Sequence, residues 1–540
     1  MRRIRDARSR GAKLVVIDPR CHQLAKEADL WIPVRPGSDG ALILALITLI
    51  INKKWYDSEF VLRWTAGFEE LADYAALFTL KVAESICGID AASIEQLAGI
   101  ISRASGVAAD FYSGLEFSAC GVQSTRALFS LLALTGNIDA DGGLYIHDYP
   151  HKPYDEYCID RHNPPIGARE YPLFYALTGM AHIAGLPDAV LRNDPYPVRG
   201  LLLAGGSPYL SYPDSATWMR TYEELDFLAV IDRFMSEETA WADVILPAAT
   251  YYEISSYHTY RNHIRLRDQV IEPIGQAMND SLILSAIAQR LGYGDAFPKS
   301  EKEIRDRALR NYPELFESCH DNGGVVVLPR AERRVHKFAS GHLRSDQGPG
   351  FPTPSGKFEF ASTLLKCYGY DPLPVYAEPY PSDTENSLPL MLTTGARTRA
   401  RFNSQYLDRP ELAERNQAVL EINPCDAEMR GIRGGDSVFL KTSQGRLALQ
   451  AVVTPAICAG AVHLPSGGGG ARQVGSWRDL HVNSIIPADA KDPISGYPVL
   501  KAVRCQVVTF NEMEHSDSAE VSAASIGISQ DCPQCGNDYR

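Results

Sequence analysis

Gly11-Ala-Lys-Leu-Val-Val-Ile-Asp-Pro-Arg20 is the stretch on which the reading of this chain turns. Leu14 to Ile17 is a continuous apolar run rich in β-branched residues, the pattern of a parallel strand covered on both faces. It follows a basic, helix-like segment, Met1 to Arg10, with Gly11 as the turn between them. A buried parallel strand needs neighbours, and these arrive through crossover helices. The opening units of the sheet are therefore expected upstream of Met1 or on another polypeptide. Asp18-Pro19-Arg20 closes the strand at its carboxyl end, where open α/β sheets hold ligands. A carboxylate there can accept two hydrogen bonds from the edge of a guanine, and the planar fork of Arg20 can pair with phosphate. The plainer reading of Asp before Pro is an ordinary turn.

Outward from this strand the pattern alternates. Ala41 to Ile51, Trp55 to Trp64, Ala91 to Ile101, Thr125 to Leu134 and Leu282 to Leu291 read as helices. Gly106 to Phe111, Gly200 to Leu203, Phe227 to Ile231 and Val244 to Leu246 read as strands. That alternation predicts an α/β fold. Ala296 to Asn386 is rich in Pro, Gly and charge and reads as connection wrapping the surface. Short strands then follow at Leu388 to Leu392, Ser437 to Lys441, Arg446 to Val453 and Gly460 to Leu464, predicting a small β-barrel. The expected domains are 1–110, an incomplete α/β unit; 111–295, a second α/β unit; 296–386, the connection; 387–508, the barrel; and 509–540, an acidic, Ser/Ala-rich disordered tail.

The whole chain has 540 residues, 45% hydrophobic and 22% charged, with 42 Gly and 34 Pro, which is ordinary globular usage. A formal charge of −13 without any Lys/Arg block excludes a nucleic-acid footprint. The longest apolar run, Ala41 to Ile51, falls short of the roughly 18 to 20 residues that cross a bilayer. The 11 Cys are scattered, an odd number at low density, and are read as mostly reduced. Cys532 and Cys535 form a CxxC without the second ligand pair that a zinc or iron-sulfur site requires.

Three further regions carry polar turns. Pro36-Gly37-Ser38-Asp39-Gly40 precedes the apolar helix, so its N–H groups can hold an anion while Asp39 caps the helix or grips a purine. Leu201 to Pro208 runs a buried strand into a Gly205-Gly206-Ser207 turn, with Asp232 at the end of the next strand. Two sheets, each with a glycine turn and a strand-end Asp, point to two nucleotide-bearing ligands. In the barrel, Thr393-Thr394-Gly395-Ala396-Arg397 ends a strand and Gly467 to Gly470 follows another, where glycines allow close backbone approach to a bulky group; flexible barrel loops are the plainer reading.

Taken in order, these landmarks resemble the dimethyl sulfoxide reductase and formate dehydrogenase superfamily of molybdopterin oxidoreductases. They are Gly11 to Arg20, Ala28-Asp-Leu-Trp-Ile-Pro-Val-Arg-Pro-Gly-Ser-Asp-Gly-Ala-Leu42, Ala133-Leu-Thr-Gly-Asn-Ile138, Ala242-Asp-Val-Ile-Leu-Pro-Ala-Ala-Thr250, Thr353-Pro-Ser-Gly-Lys-Phe-Glu359 and Glu421-Ile-Asn-Pro-Cys-Asp-Ala427. The resemblance runs from Gly11 to about Val508. It implies Rossmann-like parallel sheets, a double-psi-type barrel and a bis(molybdopterin guanine dinucleotide) cofactor carrying molybdenum or tungsten. One dinucleotide would be held by Asp18, Arg20, Gly37, Ser38 and Asp39, the other by Gly206, Ser207, Asp232 and Asp280. Thr394, Gly395, Arg397, Asn483 and Lys501 would cap both. Ser207 stands where Asn is often found, and Ile254 where some relatives carry Lys.

The superfamily's iron-sulfur Cys motif and metal-ligating side chain lie upstream of the strand that begins here at Leu14. The cluster is thus expected only in a part preceding this chain, and neither Cys21 nor Cys120 is at the ligand position. A frame restarting after a selenocysteine codon, or an enzyme split over two polypeptides, would each produce this pattern. The resemblance further implies two-electron oxygen-atom or hydride transfer on a small substrate, an iron-sulfur electron-transfer partner, and work in the cytoplasm or periplasm. Ser113 to Gly121 resembles a cavity lining whose sole carboxylate, Glu116, could serve as general acid or base; bonding to nearby backbone is the plainer role. The alternatives are a non-redox hydratase or transhydroxylase of the same superfamily and a cofactor-free structural subunit of a respiratory complex.

Overall fold

The computed structural model describes residues 2–147, 164–260, 262–310, 323–328, 333–378, 387–395 and 409–510. Strands β1 (Val15–Ile17) and β2 (Leu30–Ile32) pair in parallel, Val15 opposite Leu30, as the apolar run predicts. Behind them lies the helix Asp39–Asn52, buried along its whole middle from Gly40 to Ile50 because its sequence offers no polar face. Helices Phe68–Ala75, Leu80–Cys87, Ala91–Arg103 and Gly121–Leu134 surround it. Contact with the last of these is close at Gly40, where a Cβ would lie 2.8 Å from Ser124 Oγ. A two-residue strand, β3 (Thr65–Ala66), follows the helix Ser58–Trp64.

The second α/β region is a three-stranded parallel sheet of β4 (Gly200–Ala204), β5 (Phe227–Asp232) and β6 (Val244–Pro247), with β5 central and the most buried. A separate antiparallel sheet, β7 (Ser256–Tyr260), β8 (His263–Arg267) and β9 (Val325–Val327), follows it in the chain. Helix Asp280–Arg290 packs Ile283 against Ile231 and Ala248.

Two expectations are corrected. Gly106 to Phe111 is not a strand: it pairs with no strand among the described residues, and the Val107 N–H donates to Asn137 Oδ1 at 2.7 Å. The stretch 296–386 is more than connection. Besides the helix Glu301–Leu309 and β9, it contains β10 (Phe358–Glu359), which pairs in parallel with β3, and it drives Phe338, Phe351 and Phe360 into the core around Asp39–Asn52. Single aromatics spaced about ten residues apart carry no period, so local pattern hides this burial.

The C-terminal region is a closed barrel in the order β11 (Leu390–Gly395), β15 (Ala461–Pro465), β12 (Leu420–Ile422), β14 (Arg446–Val453), β13 (Ser437–Lys441) and β16 (Val503–Thr509). Two of its pairings, β11 with β15 and β12 with β14, are parallel. Leu392, Leu420, Ile422, Val462 and Leu464 fill its interior. Sequence periodicity missed β12, which is too short to show alternation, and β16, which begins next to Lys501 and runs past the expected domain end to Thr509. Residues from 511 on, with Cys532 and Cys535, lie outside the described residues. Among the described residues no helix is long and apolar enough to cross a membrane.

Candidate cofactor site

A cavity of about 1570 Å³ opens between the first α/β region and the barrel. Asp18, Arg20, Gly37 and Asp39 line it from one side and Thr393, Thr394, His463 and Lys501 from the other. Arg10, Lys13 and Arg103 add positive charge to its wall. Of the predicted residues, six therefore share one hollow. Ser38 and Gly395 do not line it, although their chain neighbours Gly37, Asp39 and Thr394 do, and Arg397 lies outside the described residues.

Local chemistry places each group. Asp18 ends β1 and its Oδ1 accepts the Arg20 N–H at 2.8 Å, the short-range turn that Asp-Pro encodes. Trp31 donates to the Asp18 carbonyl at 2.8 Å and holds the strand end to β2. Gly37 turns the chain with φ +85°, and Ser38 Oγ donates back to the Arg35 carbonyl at 2.8 Å, so Ser38 spends its hydroxyl on the turn. Asp39 opens the apolar helix with its carboxyl deep in the cavity wall, although the residue as a whole keeps some exposure. Burial pushes that carboxyl up to about 7, and the nearby Asp18 adds to the rise.

The barrel wall is equally constrained. Lys501 Nζ donates to the Thr394 carbonyl, and Thr394 Oγ1 donates to the Leu500 carbonyl at 2.8 Å. Burial draws the Lys501 ammonium down to about 8, with Asp18 opposing. Gly395 adopts φ +119°, and a Cβ there would lie 2.5 Å from Lys501 Nζ. Gly395→Ala is thus expected to cost about 1–3 kcal/mol through backbone strain and to displace Lys501. A thermal midpoint equal to wild type would contradict this.

Arg20 does not reach freely into the cavity. Its Nε and Nη2 donate to the two oxygens of Glu421 at 2.7 and 2.8 Å, across a sequence separation of 401. The Cys21 N–H donates to the Ala456 carbonyl at 2.7 Å and the Cys458 N–H to the Pro19 carbonyl at 2.9 Å, so Pro19-Arg20-Cys21 is stitched to the barrel. Burial alone would raise Glu421, but the neighbouring His463 ring and the hydrogen bonds from Arg20 win and hold it at about 2. Its folded value lies below the ordinary 4.5, so the carboxylate stabilises above pH 4.5 and loses its contribution as pH falls towards 2. Glu421→Ala should cost about 1.5–3 kcal/mol at pH 7, the range for charge-assisted hydrogen bonds. Urea unfolding should show that difference shrinking at pH 3.

The remaining predicted residues form a second cluster outside this cavity. Gly205, with φ +61°, makes the turn after β4, and Ser207 caps the short helix Pro208–Ser211. Ser207 Oγ donates at 2.8 Å to Glu238, a fully buried carboxyl that burial pushes up and that also accepts the Tyr209 N–H at 3.1 Å. Asp232, at the end of β5, accepts the Phe234 N–H at 2.9 Å. Asp280 begins its helix within electrostatic range of Asp232 and Arg233; burial raises its carboxyl, Arg233 opposes and Asp232 adds. Asn483 donates its side-chain amide to the Leu210 carbonyl and its own carbonyl accepts the Asp214 N–H at 3.0 Å, so it ties the barrel to this region. Ser113, Gly114 and Leu115 line the first cavity, but the half-buried Glu116 does not.

Residues 1–290 match the model of the molybdopterin oxidoreductase family, and residues 390–504 match that of the molybdopterin dinucleotide-binding domain. The chain belongs to the molybdopterin oxidoreductase family. It is 28% identical to the molybdopterin-containing subunit of a thiosulfate reductase from Salmonella typhimurium, over 91% of this chain and 69% of that one. It is 26% identical to an acetylene hydratase from Syntrophotalea acetylenica, over 92% and 73%. The structure of acetylene hydratase from Pelobacter acetylenicus superposes with a TM-score of 0.81 at 25% identity, covering 94% of this chain and 75% of that one.

The cavity suits a molybdopterin cofactor on its own features. His463, buried in its wall, has both ring nitrogens without a hydrogen-bond partner. At Gly395 any side chain would fill the space that Lys501 uses. Among the described residues no group of His, Cys, Asp and Glu could hold a metal directly. Sequence reasoning missed Glu421, His463 and Glu238. Glu421 stands inside a motif quoted above, and Glu238 lies four residues before the Ala242 to Thr250 motif, but neither position signals its partner.

Proposed function

We propose that this chain forms the catalytic subunit, or a part of it, of a bis(molybdopterin guanine dinucleotide) enzyme of molybdenum or tungsten acting on a small substrate. The observation that carries this reading is the convergence of Asp18, Asp39, Thr394 and Lys501 on one cavity between two regions that match the family's two models. Asp18 and Asp39 would accept hydrogen bonds from a guanine edge. Gly37 and the start of the Asp39 helix would offer N–H groups to phosphate, and Lys501 would oppose its charge. Arg20, braced by Glu421, would keep the strand end in register with the barrel. Gly206, Ser207, Asp232 and Asp280 would serve the second dinucleotide, and Thr394, Gly395, Arg397, Asn483 and Lys501 would cap both. When bound, the cofactor supplies the two-electron centre for oxygen-atom or hydride transfer, and the protein's share is to orient it and exclude water. An iron-sulfur protein would take or deliver the electrons.

The test is elemental and nucleotide analysis of protein expressed with the region immediately upstream of its gene. Molybdenum or tungsten with two guanine nucleotides per metal supports the enzyme. Metal and guanine both absent would leave the structural-subunit reading standing. A hydratase reading is favoured by the acetylene hydratase match in both sequence and structure. Substrate conversion by loaded enzyme without any electron acceptor would select it over the oxidoreductase.

A further inference from the structure

Among the described residues β1 has a strand on one side only. The Asp18 N–H donates to the Ile32 carbonyl at 3.1 Å and the Leu14 carbonyl accepts from the Leu30 N–H, so positions 14, 16 and 18 turn their backbone groups to β2. Alternation turns those of Val15 and Ile17 to the other edge, and both residues line the cavity. Ile17 is 41% exposed there, in a strand whose composition is that of a sheet interior. Gly106 to Phe111 line the same cavity, also without a strand partner, and from Val107 on they alternate half-buried with exposed. Both segments run towards the barrel. Beyond β1 the Cys21 N–H reaches the Ala456 carbonyl, and beyond Phe111 the Phe117 carbonyl accepts the Leu500 and Lys501 N–H groups at 3.1 and 3.2 Å. Helices supply an apolar floor: Ile43 and Leu46 from Asp39–Asn52, Leu97 and Ile101 from Ala91–Arg103, Leu128 and Leu131 from Gly121–Leu134. Leu46 lies about 10 Å along its helix from Asp39, so this floor is distinct from the acidic end of the cavity.

We infer that the apolar end of the cavity is a slot for one extended segment of a partner polypeptide, parallel to β1 and hydrogen-bonded to β1 on one side and to residues 106–111 on the other. A free strand edge is matched by extended backbone, and a floor of aliphatic side chains calls for β-branched apolar residues above it. Charge sets the ends of the segment. Arg10, Lys13 and Arg103 line the end away from the barrel, and neither Arg10 nor Arg103 has a carboxylate partner among the described residues. A strand parallel to β1 begins at that end, so its first residues are acidic. The same occupant accounts for residues 106–111, which have the composition of a strand and lack the neighbour that would make them one. The inference does not depend on the cofactor reading, which uses Asp18, Asp39, Thr394 and Lys501 at the other end.

The test is calorimetric titration and amide hydrogen exchange of the whole chain with an acetylated, amidated peptide of sequence EEVVIVVS. Saturable binding is expected, with exchange slowed about tenfold or more at the Ile17 amide and at alternate amides between 106 and 111. The peptide KKVVIVVS, its acids replaced by lysines, is expected to bind about tenfold more weakly at low salt. Val15→Pro removes one donor from the free edge at the first residue of the strand, where proline is tolerated, and is expected to weaken EEVVIVVS about fivefold with the melting temperature unchanged. Absence of binding overturns the proposal, as does binding that leaves both edges unprotected. Equal affinity for the two peptides overturns the charge assignment. A chain that sediments as a dimer with these amides already protected shows that a second copy, and not a partner, fills the slot.

Discussion

Asp39→Asn is expected to weaken guanosine diphosphate binding by about 10- to 150-fold at pH 8, the range set by about 1.5–3 kcal/mol for hydrogen bonds to a charged group. The acceptor must be ionised to take both donors of a guanine edge, and the Asp39 carboxyl is pushed up to about 7. Wild-type affinity should therefore fall about tenfold per pH unit below 7 and level off above it, while the Asn variant should be flat across the same range. Stability has the opposite sign. The folded value lies above the ordinary 3.8, so the folded chain holds this proton more tightly than the unfolded chain. The contribution is fully present below pH 3.8 and is lost as pH rises through 7. Empty Asp39→Asn protein should accordingly melt at a higher temperature than empty wild type at pH 8. A carboxylate that destabilises the empty chain and strengthens ligand binding is what a recognition group in a dry wall does. Equal nucleotide affinity for the two proteins at pH 8 would remove Asp39 from the site.

Asp139→Ala is expected to destabilise the fold by about 3–5 kcal/mol, the cost of breaking a buried ion pair by removing one member. Asp139 and Lys337 are both fully buried, with Nζ 3.8 Å from Oδ1. The carboxylate also accepts the Lys337 N–H at 2.7 Å and the Ile146 N–H at 3.3 Å. Lys337 Nζ donates to the Ile146 carbonyl and sits 4.5 Å from the centre of the Tyr145 ring. Removing the carboxylate takes a counter-charge from the buried ammonium, and two backbone donors lose their acceptor. The double variant Asp139→Leu/Lys337→Met should recover much of the loss, because no isolated charge remains. The reading is the urea midpoint with unchanged slope. A single variant within about 1 kcal/mol of wild type would show that water reaches the pair.

This pair also shows where sequence reading stops. Asp139 follows the Ala133 to Ile138 landmark and looks like a turn residue, while Lys337 lies in a stretch whose composition suggested surface connection. Their contact joins positions 198 apart, and no local period encodes a partner at that distance. Arg20 and Glu421, 401 apart, are the same case. Each stands in a legible motif, yet the bond between them is a property of the assembled interface. The misread Gly106 to Phe111 segment fails for a related reason: its short apolar character is strand-like, but a strand exists only where a neighbour offers its edge.

The local patterns of this sequence were enough to establish a parallel strand at Val15–Ile17, though only Val16 of it is buried, the apolar helix at Asp39–Asn52, the parallel strands Gly200–Ala204 and Phe227–Asp232, and a barrel after residue 387. Backbone periodicity and turn chemistry act over a few residues, so one chain suffices to read them. Only the tertiary structure decided that Asp18, Asp39, Thr394 and Lys501 share a cavity and that Glu421 occupies Arg20. Those outcomes depend on which faces remain exposed after strands and helices have packed, and desolvation, which sets the acidity of Asp39 and Lys501, exists only once they have.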